Sequence, residues 1–480
     1  MFEPARVARR RAVPSVVSAA RSLPSRRLAS LACALLIVAC GGDEGPSAPG
    51  DGGDGPLDLA GQDCLVIVID ATHAAHVSSY GGVSGVSPVL DSLAARGVRF
   101  GHVWSNSSWT LPSTASLFTG LYEQTHGVRT SDQALPPVAD TLAEVFGRAG
   151  YATASFSQNP YTGVEYGLGQ GFDDVTMVGP REDEELAERA ASFLTDRDDD
   201  RPRFAYVHFR RPHAPYDPSA ESRALFVDTT YQGDASGAAT NIFDHNRKGQ
   251  NLKKRDIRHL RELYRGSLHD VDARVGELLA GIDRSRTLVV LLSDHGEAFN
   301  QHFMLGHNWR SFEEFVSVPL IVSHPDLPAG HVVDGVAQSL DLFPTLAELF
   351  ALPVDPGTLA GVSQVAALRG GAAGERPAVF TSSRLKQDGE HWMALYDGRF
   401  KLMVEQPANR AFLFDLEDDP KELYNVDHKH KRKLERLKSD LERFLAGVTD
   451  VALQPADVEG VDEETRQRLR ELGYVGDDGG

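Results

Sequence analysis

Cysteine is nearly missing from this chain, with three in 480 residues, at positions 33, 40 and 64. That excludes a scaffold held by a disulfide framework. Cationic side chains are scarce as well: 49 Lys and Arg stand against 68 Asp and Glu, for a formal charge of −19. A surface of that sign repels nucleic acid and anionic lipid at long range, so a nucleic-acid partner is not expected. The apolar run Leu28 to Val38 falls short of the ~20 residues a membrane-spanning helix needs. Internal repeats are absent. What remains is an ordinary globular composition, 41% apolar, in a chain long enough for one large domain and a smaller appended one.

The first 39 residues do not read as part of a fold. They hold seven Arg against one acid, Glu3, so the rest of the chain carries −25 of the formal charge. Ile37-Val38-Ala39-Cys40-Gly41 resembles the lipobox of a bacterial lipoprotein signal peptide. The expectation is cleavage before Cys40, acylation of its thiol, and export to a membrane surface, periplasmic or outer-membrane. Residues 40–60 are rich in Gly, Pro and Asp and read as a flexible tether. Cys64, at the start of the first strand, is expected to be buried and inert.

Two continuous apolar runs carry the functional signal. Leu65-Val66-Ile67-Val68-Ile69 ends in Asp70, and Thr287 to Leu292 is followed by Ser293-Asp294-His295-Gly296-Glu297. Runs without polar alternation predict strands covered on both faces, as in a parallel sheet flanked by helices. In such sheets functional groups collect beyond the carboxyl ends of the strands, where Asp70, Asp294 and His295 stand. Between the runs lies Trp109-Thr110-Leu111-Pro112. Pro112 suits the first turn of a helix, which puts Thr110 at its positive end, where an anion is favoured. A hydroxyl beside oxygen and imidazole ligands describes a metal-dependent attack on a phosphorus or sulfur ester.

Taken together, VIDATHAAHVSSYGG, SPVLDSLAARGVRF, WTLPSTASLFTGLYEQTHGV, YVHFRRPHAPYDP, SDHGEAF, GHNWRSFEEFVSVPLIV and LFDLEDDPKELYNV resemble, in this order, the sulfatase family of the alkaline phosphatase superfamily. The resemblance implies an α/β fold with a large mostly parallel sheet sandwiched by helices, and a smaller C-terminal antiparallel sheet with a helix. It implies that Asp70, Asp294 and His295 hold one divalent metal ion (Mn, Mg, Ca or Zn) together with Thr110, the nucleophile position. It matches His213 and His307 to basic groups near the substrate or leaving group. The implied partner is a small anionic ester.

The chain departs from most sulfatases in that motif. Their formylglycine arises from Cys or Ser in C/S-x-P-x-R, whereas this chain has Thr110-Leu111-Pro112-Ser113-Thr114, and Ala71 follows Asp70. Formylglycine is therefore not expected. The set is similar to phosphonate monoester hydrolases in its ligands. In its Thr it is similar to lipoteichoic-acid synthases and phosphoethanolamine transferases. A Thr phosphate can be released by water or an alcohol, while a Thr sulfate lacks the aldehyde exit. The expected activity is hydrolysis of phosphate or phosphonate esters. Sulfuric ester hydrolysis, phosphoryl transfer and a non-catalytic binding module are the alternatives.

Helical patterns are expected at Pro88–Arg96, Ala139–Ala149, Asp183–Thr195 and Lys254–Ile282, with strands near Tyr151–Ser155 and Phe204–His208. Ser219–Gln250 reads as a long loop. The domain expectation is a signal peptide over 1–39, the tether over 40–60, a catalytic domain over 61–355, a linker over 356–375 and a C-terminal subdomain over 376–480. The basic run His428–Lys433 reads as the solvated start of a helix.

Overall fold

The computed structural model describes residues 57–471, apart from 198, 240–241, 243–244, 246–251, 308–309, 375, 377–378, 384–388, 459–460 and 462. The expected signal peptide, Cys40 and the tether up to Pro56 lie outside the described residues.

Strands and helices alternate along most of the chain. β1 (Asp63–Ile69) leads into α1 (Pro88–Arg96) and β2 (Val98–Trp104). Next come α2 (Thr110–Thr119), α3 (Leu142–Arg148), β3 (Ala152–Ser157) and β4 (Asp174–Met177). α4 (Asp183–Thr195) returns to β5 (Arg203–Phe209); α5 (Ala220–Phe226) and α6 (Lys254–Ala280) return to β6 (Thr287–Leu292). β7 (Leu320–Ser323), β8 (His331–Gln338) and α7 (Leu342–Leu349) follow. A second sheet is built from β9 (Val379–Ser382), β10 (His391–Tyr396), β11 (Phe400–Gln406) and β12 (Arg410–Asp415), and α8 (Lys431–Thr449) packs on it.

The large sheet has the order β8-β2-β7-β6-β1-β5-β3-β4. All neighbours pair in parallel except β7, which runs against both β2 and β6. The sheet is therefore mixed and mostly parallel, and the small sheet is antiparallel throughout. β1 explains its own sequence. Cys64, Val66 and Val68 point into one apolar core, and Leu65, Ile67 and Ile69 into the other. β6 divides likewise, with Leu288, Val290 and Leu292 on one side and Val289 and Leu291 on the other. Each such fully buried side chain contributes roughly 1.5–3 kcal/mol, so both strands are held from two faces.

The helices start where local chemistry lets them. Pro88 opens α1, and the Asp272 carboxylate from α6 accepts from the Val89 and Leu90 N–H groups, both at 2.9 Å. At α3 a capping box joins Thr141 and Glu144, with bonds of 2.8 and 3.2 Å.

Two segments differ from their sequence reading. Residues 356–375 read as linker, but a helical turn at Val365–Leu368 buries Val365, Ala367 and Leu368 in the main core. Four residues are too short for a periodic pattern to reveal. Ser219–Gln250 opens with α5, whose Ser219 side chain caps it by accepting from Ser222 N–H at 3.1 Å; part of the remainder lies outside the described residues. The large sheet is mostly parallel as expected, with β7 alone reversed. Among the described residues no helix is long and apolar enough to cross a membrane.

Candidate active site

β1 and β6 are neighbours in the sheet, with Val68 opposite Leu292. The residues just past both strands are therefore forced together at one sheet edge. Asp70, Asp294 and His295, all buried, offer ligand atoms that lie within 4.8 Å of one another. His295 Nε2 stands 3.5 Å from Asp70 Oδ1 and 3.4 Å from Asp294 Oδ2. His295 Nδ1 lies 2.9 Å from the Gly296 carbonyl, which can only accept, so Nδ1 carries the proton and Nε2 presents its lone pair. Asp70 Oδ1 and Asp294 Oδ2 have no hydrogen-bond partner. Three electron-rich atoms thus converge without donors between them. Hard oxygens with one imidazole fit a divalent cation.

The other carboxylate oxygens are used to hold the set. Asp294 Oδ1 accepts from the backbone N–H of Ala71 (3.2 Å) and His295 (3.0 Å). Asp70 Oδ2 accepts from Asn159 Nδ2 at 2.7 Å. Burial pushes the Asp70 carboxyl up to about 6, against the pull of His295, Arg210 and Asn159. Ala71, where most sulfatases carry a second acid, takes a left-handed φ of 53°. It is fixed by its own N–H and by Tyr264 OH donating to its carbonyl at 2.7 Å.

Thr110 is the first residue of α2 and is buried. Its Oγ1 lies 3.3 Å from His295 Nε2 and accepts from Asn159 Nδ2 at 3.2 Å. One amide thus bridges Asp70 and Thr110. Ser113, a turn further on, donates to the Asp294 carbonyl at 2.5 Å and ties the helix to the β6 loop. Gly296 is required by close approach: a Cβ there would meet the Glu314 carbonyl oxygen at 2.2 Å.

His213 and His307 continue outward from His295. The His307 ring centre is 4.3 Å from that of His295 and 4.7 Å from that of His213. His307 Nδ1 lies 2.7 Å from Glu297 Oε2, and Tyr216 OH donates to the other Glu297 oxygen. Burial holds the Glu297 carboxyl up at about 7. Burial, with Arg210 and His307 nearby, pushes His213 well below the ordinary imidazole range, so His213 is neutral.

The structure brings Asp70, Thr110, Asp294, His295, His213 and His307 into one site. Sequence reading passed over Asn159, His208, Arg210 and Glu297, which stand among them. His208 Nε2 lies 3.5 Å from Asp70 Oδ2 and has no hydrogen-bond partner, and burial lowers its pKa to about 4. Arg210 Nη2 lies 2.9 Å from His213 Nδ1 and donates to the Ala214 carbonyl at 2.6 Å. A usable signal existed. Asn159, His208 and Arg210 sit at or just past the carboxyl ends of β3 and β5, the same position that marks Asp70 and Asp294.

This sheet, with its site at the edge of β1 and β6 and its small C-terminal sheet, has the architecture of the alkaline phosphatase superfamily. The Sulfatase family model matches residues 62–352, and the chain belongs to that family. It is a sulfatase-family ester hydrolase. An arylsulfatase of Clostridium perfringens (strain 13 / Type A) is 23% identical over 461 residues, covering 80% of this chain and 94% of its own. The structure of a 2-O GAG sulfatase superposes with a TM-score of 0.68 at 22% identity, covering 84% of this chain and 96% of its own. The phosphonate monoester hydrolase of Agrobacterium radiobacter superposes with a TM-score of 0.66 at 22% identity, covering 87% and 99%.

Proposed function

We propose that this hydrolase acts on phosphate or phosphonate esters through Thr110 as nucleophile. The observation that carries the reading is the Thr110 hydroxyl itself, buried at the positive end of α2, 3.3 Å from His295 Nε2 and hydrogen-bonded to Asn159. A divalent cation held by Asp70, Asp294 and His295, with Thr110 alongside, would supply Lewis acidity to the ester oxygen and favour the ionised hydroxyl. Asn159 donates to the Thr110 oxygen, and the α2 terminus favours the negative charge that forms there. Thr110 Oγ1 gives up its proton to solvent and bonds to phosphorus as the P–O bond to the leaving alcohol breaks. His307, paired with Glu297, gives the departing oxygen its proton. Neutral His213 orients the ester. Water, giving a proton to the now neutral His307, then attacks the phosphothreonine; the P–Oγ1 bond breaks, the phosphate or phosphonate departs, and Thr110 Oγ1 takes a proton back from solvent.

Full-length protein with Mn²⁺ is to be assayed on a nitrophenyl phosphate diester, a nitrophenyl phenylphosphonate and nitrophenyl sulfate. Turnover of the phosphorus esters is expected, falling by at least about 10³-fold in Thr110→Ala. Sulfate turnover alone, or formylglycine found by mass spectrometry, overturns the reading. The named activity of the arylsulfatase relative favours sulfate-ester hydrolysis as the second reading.

We propose as well that the protein is exported and anchored through lipid on Cys40. Cys40→Ser is expected to move it from the membrane to the soluble fraction and to abolish incorporation of labelled palmitate; an unchanged distribution rejects the anchor.

A further inference from the structure

The edge of the large sheet opposite the active site carries a second concave surface. β7 runs against β6, so its last residue, Ser323, lies opposite Val289 near the start of β6. Asp294 stands past the other end of that six-residue strand, roughly 20 Å away. Beside Ser323, α1 and the last turn of α6 leave a groove of about 670 Å³, a volume in the range of small-molecule sites. Its apolar wall is formed by Pro88, Val89, Leu93, Leu279 and Pro325. Two guanidinium groups stand in the same wall, Arg96 from the end of α1 and Arg284 from the turn before β6. Both bond to neutral hydroxyls: Arg96 Nη2 donates to Ser92 Oγ at 2.9 Å, and Arg284 Nη2 to Ser323 Oγ at 3.0 Å. Arg284 Nε is buried and has no acceptor.

Neither arginine has an ion pair among the described residues. The carboxylates close to them are engaged elsewhere. Asp91 accepts from Ser79 N–H at 2.7 Å, Asp272 from the Val89 and Leu90 N–H groups, and Asp283 from Ser285 N–H and Oγ at 2.9 and 2.6 Å. Asp326 lies beside His324, 3.5 Å from Nδ1. His324, also in the wall, is neutral: Nδ1 accepts from Asp326 N–H at 3.2 Å, so Nε2 carries the proton and donates it to the Gln62 side-chain oxygen at 2.7 Å. Burial and the repulsion of Arg96 both disfavour the charge on Arg284, and no carboxylate offsets them. In a chain with 68 acids for 49 basic residues, two cations left without an acid in one apolar groove are a cost that a bound anion removes. We propose that this groove is a second binding site, for a small amphiphilic anion whose head lies between Arg96 and Arg284 and whose apolar chain follows Val89, Leu93 and Leu279. The hydroxyls of Ser92 and Ser323 hold the two guanidinium groups in the wall, which leaves their other N–H groups for a sulfonate, carboxylate or phosphate head. The site shares no residue with the active site and does not rest on the catalytic reading.

The test uses full-length protein in chelator, so that no metal draws anions to the active site, and octanesulfonate, which has no ester bond to cleave. Calorimetric titration is expected to give one site with a Kd on the order of 10⁻⁴ M. Methanesulfonate, which lacks the chain, and octanol, which lacks the charge, are each expected to bind at least about tenfold more weakly. Arg284→Gln is expected to weaken octanesulfonate at least about tenfold. Arg96→Gln, which disturbs only the bond to Ser92, should do the same without touching the β7 end. Ala280→Trp fills the groove, keeps both arginines, and is expected to abolish binding. Thr110→Ala should bind as the wild type does. Unchanged affinity in Arg96→Gln and Ala280→Trp rejects the site. Loss of binding in Thr110→Ala rejects it as well, because the probe would then occupy the active site, and so does octanol binding as tightly as octanesulfonate. Failure of the phosphoryl reading leaves all of these results untouched. Sedimentation of full-length Cys40→Ser protein with phosphatidylglycerol vesicles tests the remaining occupant: pelleting that Arg96→Gln abolishes would reassign the groove to a membrane surface and overturn the small-ligand assignment, while no pelleting beside octanesulfonate binding supports it.

Discussion

Glu297 decides what His307 can do. A carboxylate 2.7 Å from Nδ1 keeps the proton on that side and stabilises the imidazolium, so in the proposed mechanism Nε2 is the atom that would exchange a proton with the leaving oxygen. Tyr216 fixes the other Glu297 oxygen and stops the carboxylate from turning. Glu297→Gln keeps the shape and removes the charge. Its kcat is expected to fall about 10²-fold on an alkyl phosphonate ester, whose poor leaving group needs the proton, and less than about fivefold on the nitrophenyl ester. Equal losses on both would make Glu297 a structural residue. Asp70, Thr110, Asp294 and His295 were legible in the sequence because each stands within three residues after a continuous apolar run or shortly before a helix-starting proline. Glu297 was printed in the same motif, yet nothing local says that its partner is ten residues ahead, across a hairpin of two-residue strands. Asn159 and His208 depend on which strands lie beside β1, and pairing order is a property of the whole sheet.

At the scale of elements, the site depends on α2 being held against the β6 loop. Ser113 makes that tie through the Asp294 carbonyl, while His126 anchors α2 to the turn that follows it, its Nε2 3.1 Å from Ser116 Oγ and its Nδ1 accepting from Val128 N–H at 3.2 Å. Ser113→Ala is expected to cost about 1 kcal/mol of stability and to weaken metal affinity about tenfold, because it frees the segment that carries two proposed ligands. Calorimetric titration with Mn²⁺ and a urea melt measure the two effects; unchanged affinity would mean that the β6 loop is rigid without the tie. The helices α1 and α4 have the bounds expected from apolar spacing, because both are amphipathic and lie on the sheet. The segment 356–375 was illegible for the opposite reason: its order comes from three side chains of one short turn entering a core built by distant residues. Leu368→Ala should therefore destabilise the protein by roughly 2–5 kcal/mol, as a core deletion does and a linker substitution does not.

For the whole molecule, the candidate metal site is also a term in stability. The Asp70 carboxyl titrates near 6 when folded, since burial disfavours its charged form, against the ordinary 3.8. Between those values the folded chain holds a proton at Asp70 that the unfolded chain has lost. Stability therefore falls as pH rises from about 4 to about 6, and above that range the whole penalty, roughly 3 kcal/mol for about two units, is present. Asp272, raised to about 6 by the same cause, adds a term of the same sign, offset in part by its two bonds to the start of α1. A bound divalent cation selects the ionised Asp70 and reverses its term, so affinity should drop about tenfold for each pH unit below about 6 for the one proton displaced. The expected result in chelator is a wild-type urea midpoint that declines from pH 4 to pH 6 more steeply than that of Asp70→Asn, which keeps the acceptor for Asn159 and cannot titrate. With saturating Mn²⁺ the wild-type slope should change sign relative to the variant. Parallel curves in chelator would mean that water reaches the carboxylate and relieves the burial, and the pH dependence would then have to come from the other acids, the buried Asp272, Glu297 and Glu422 among them.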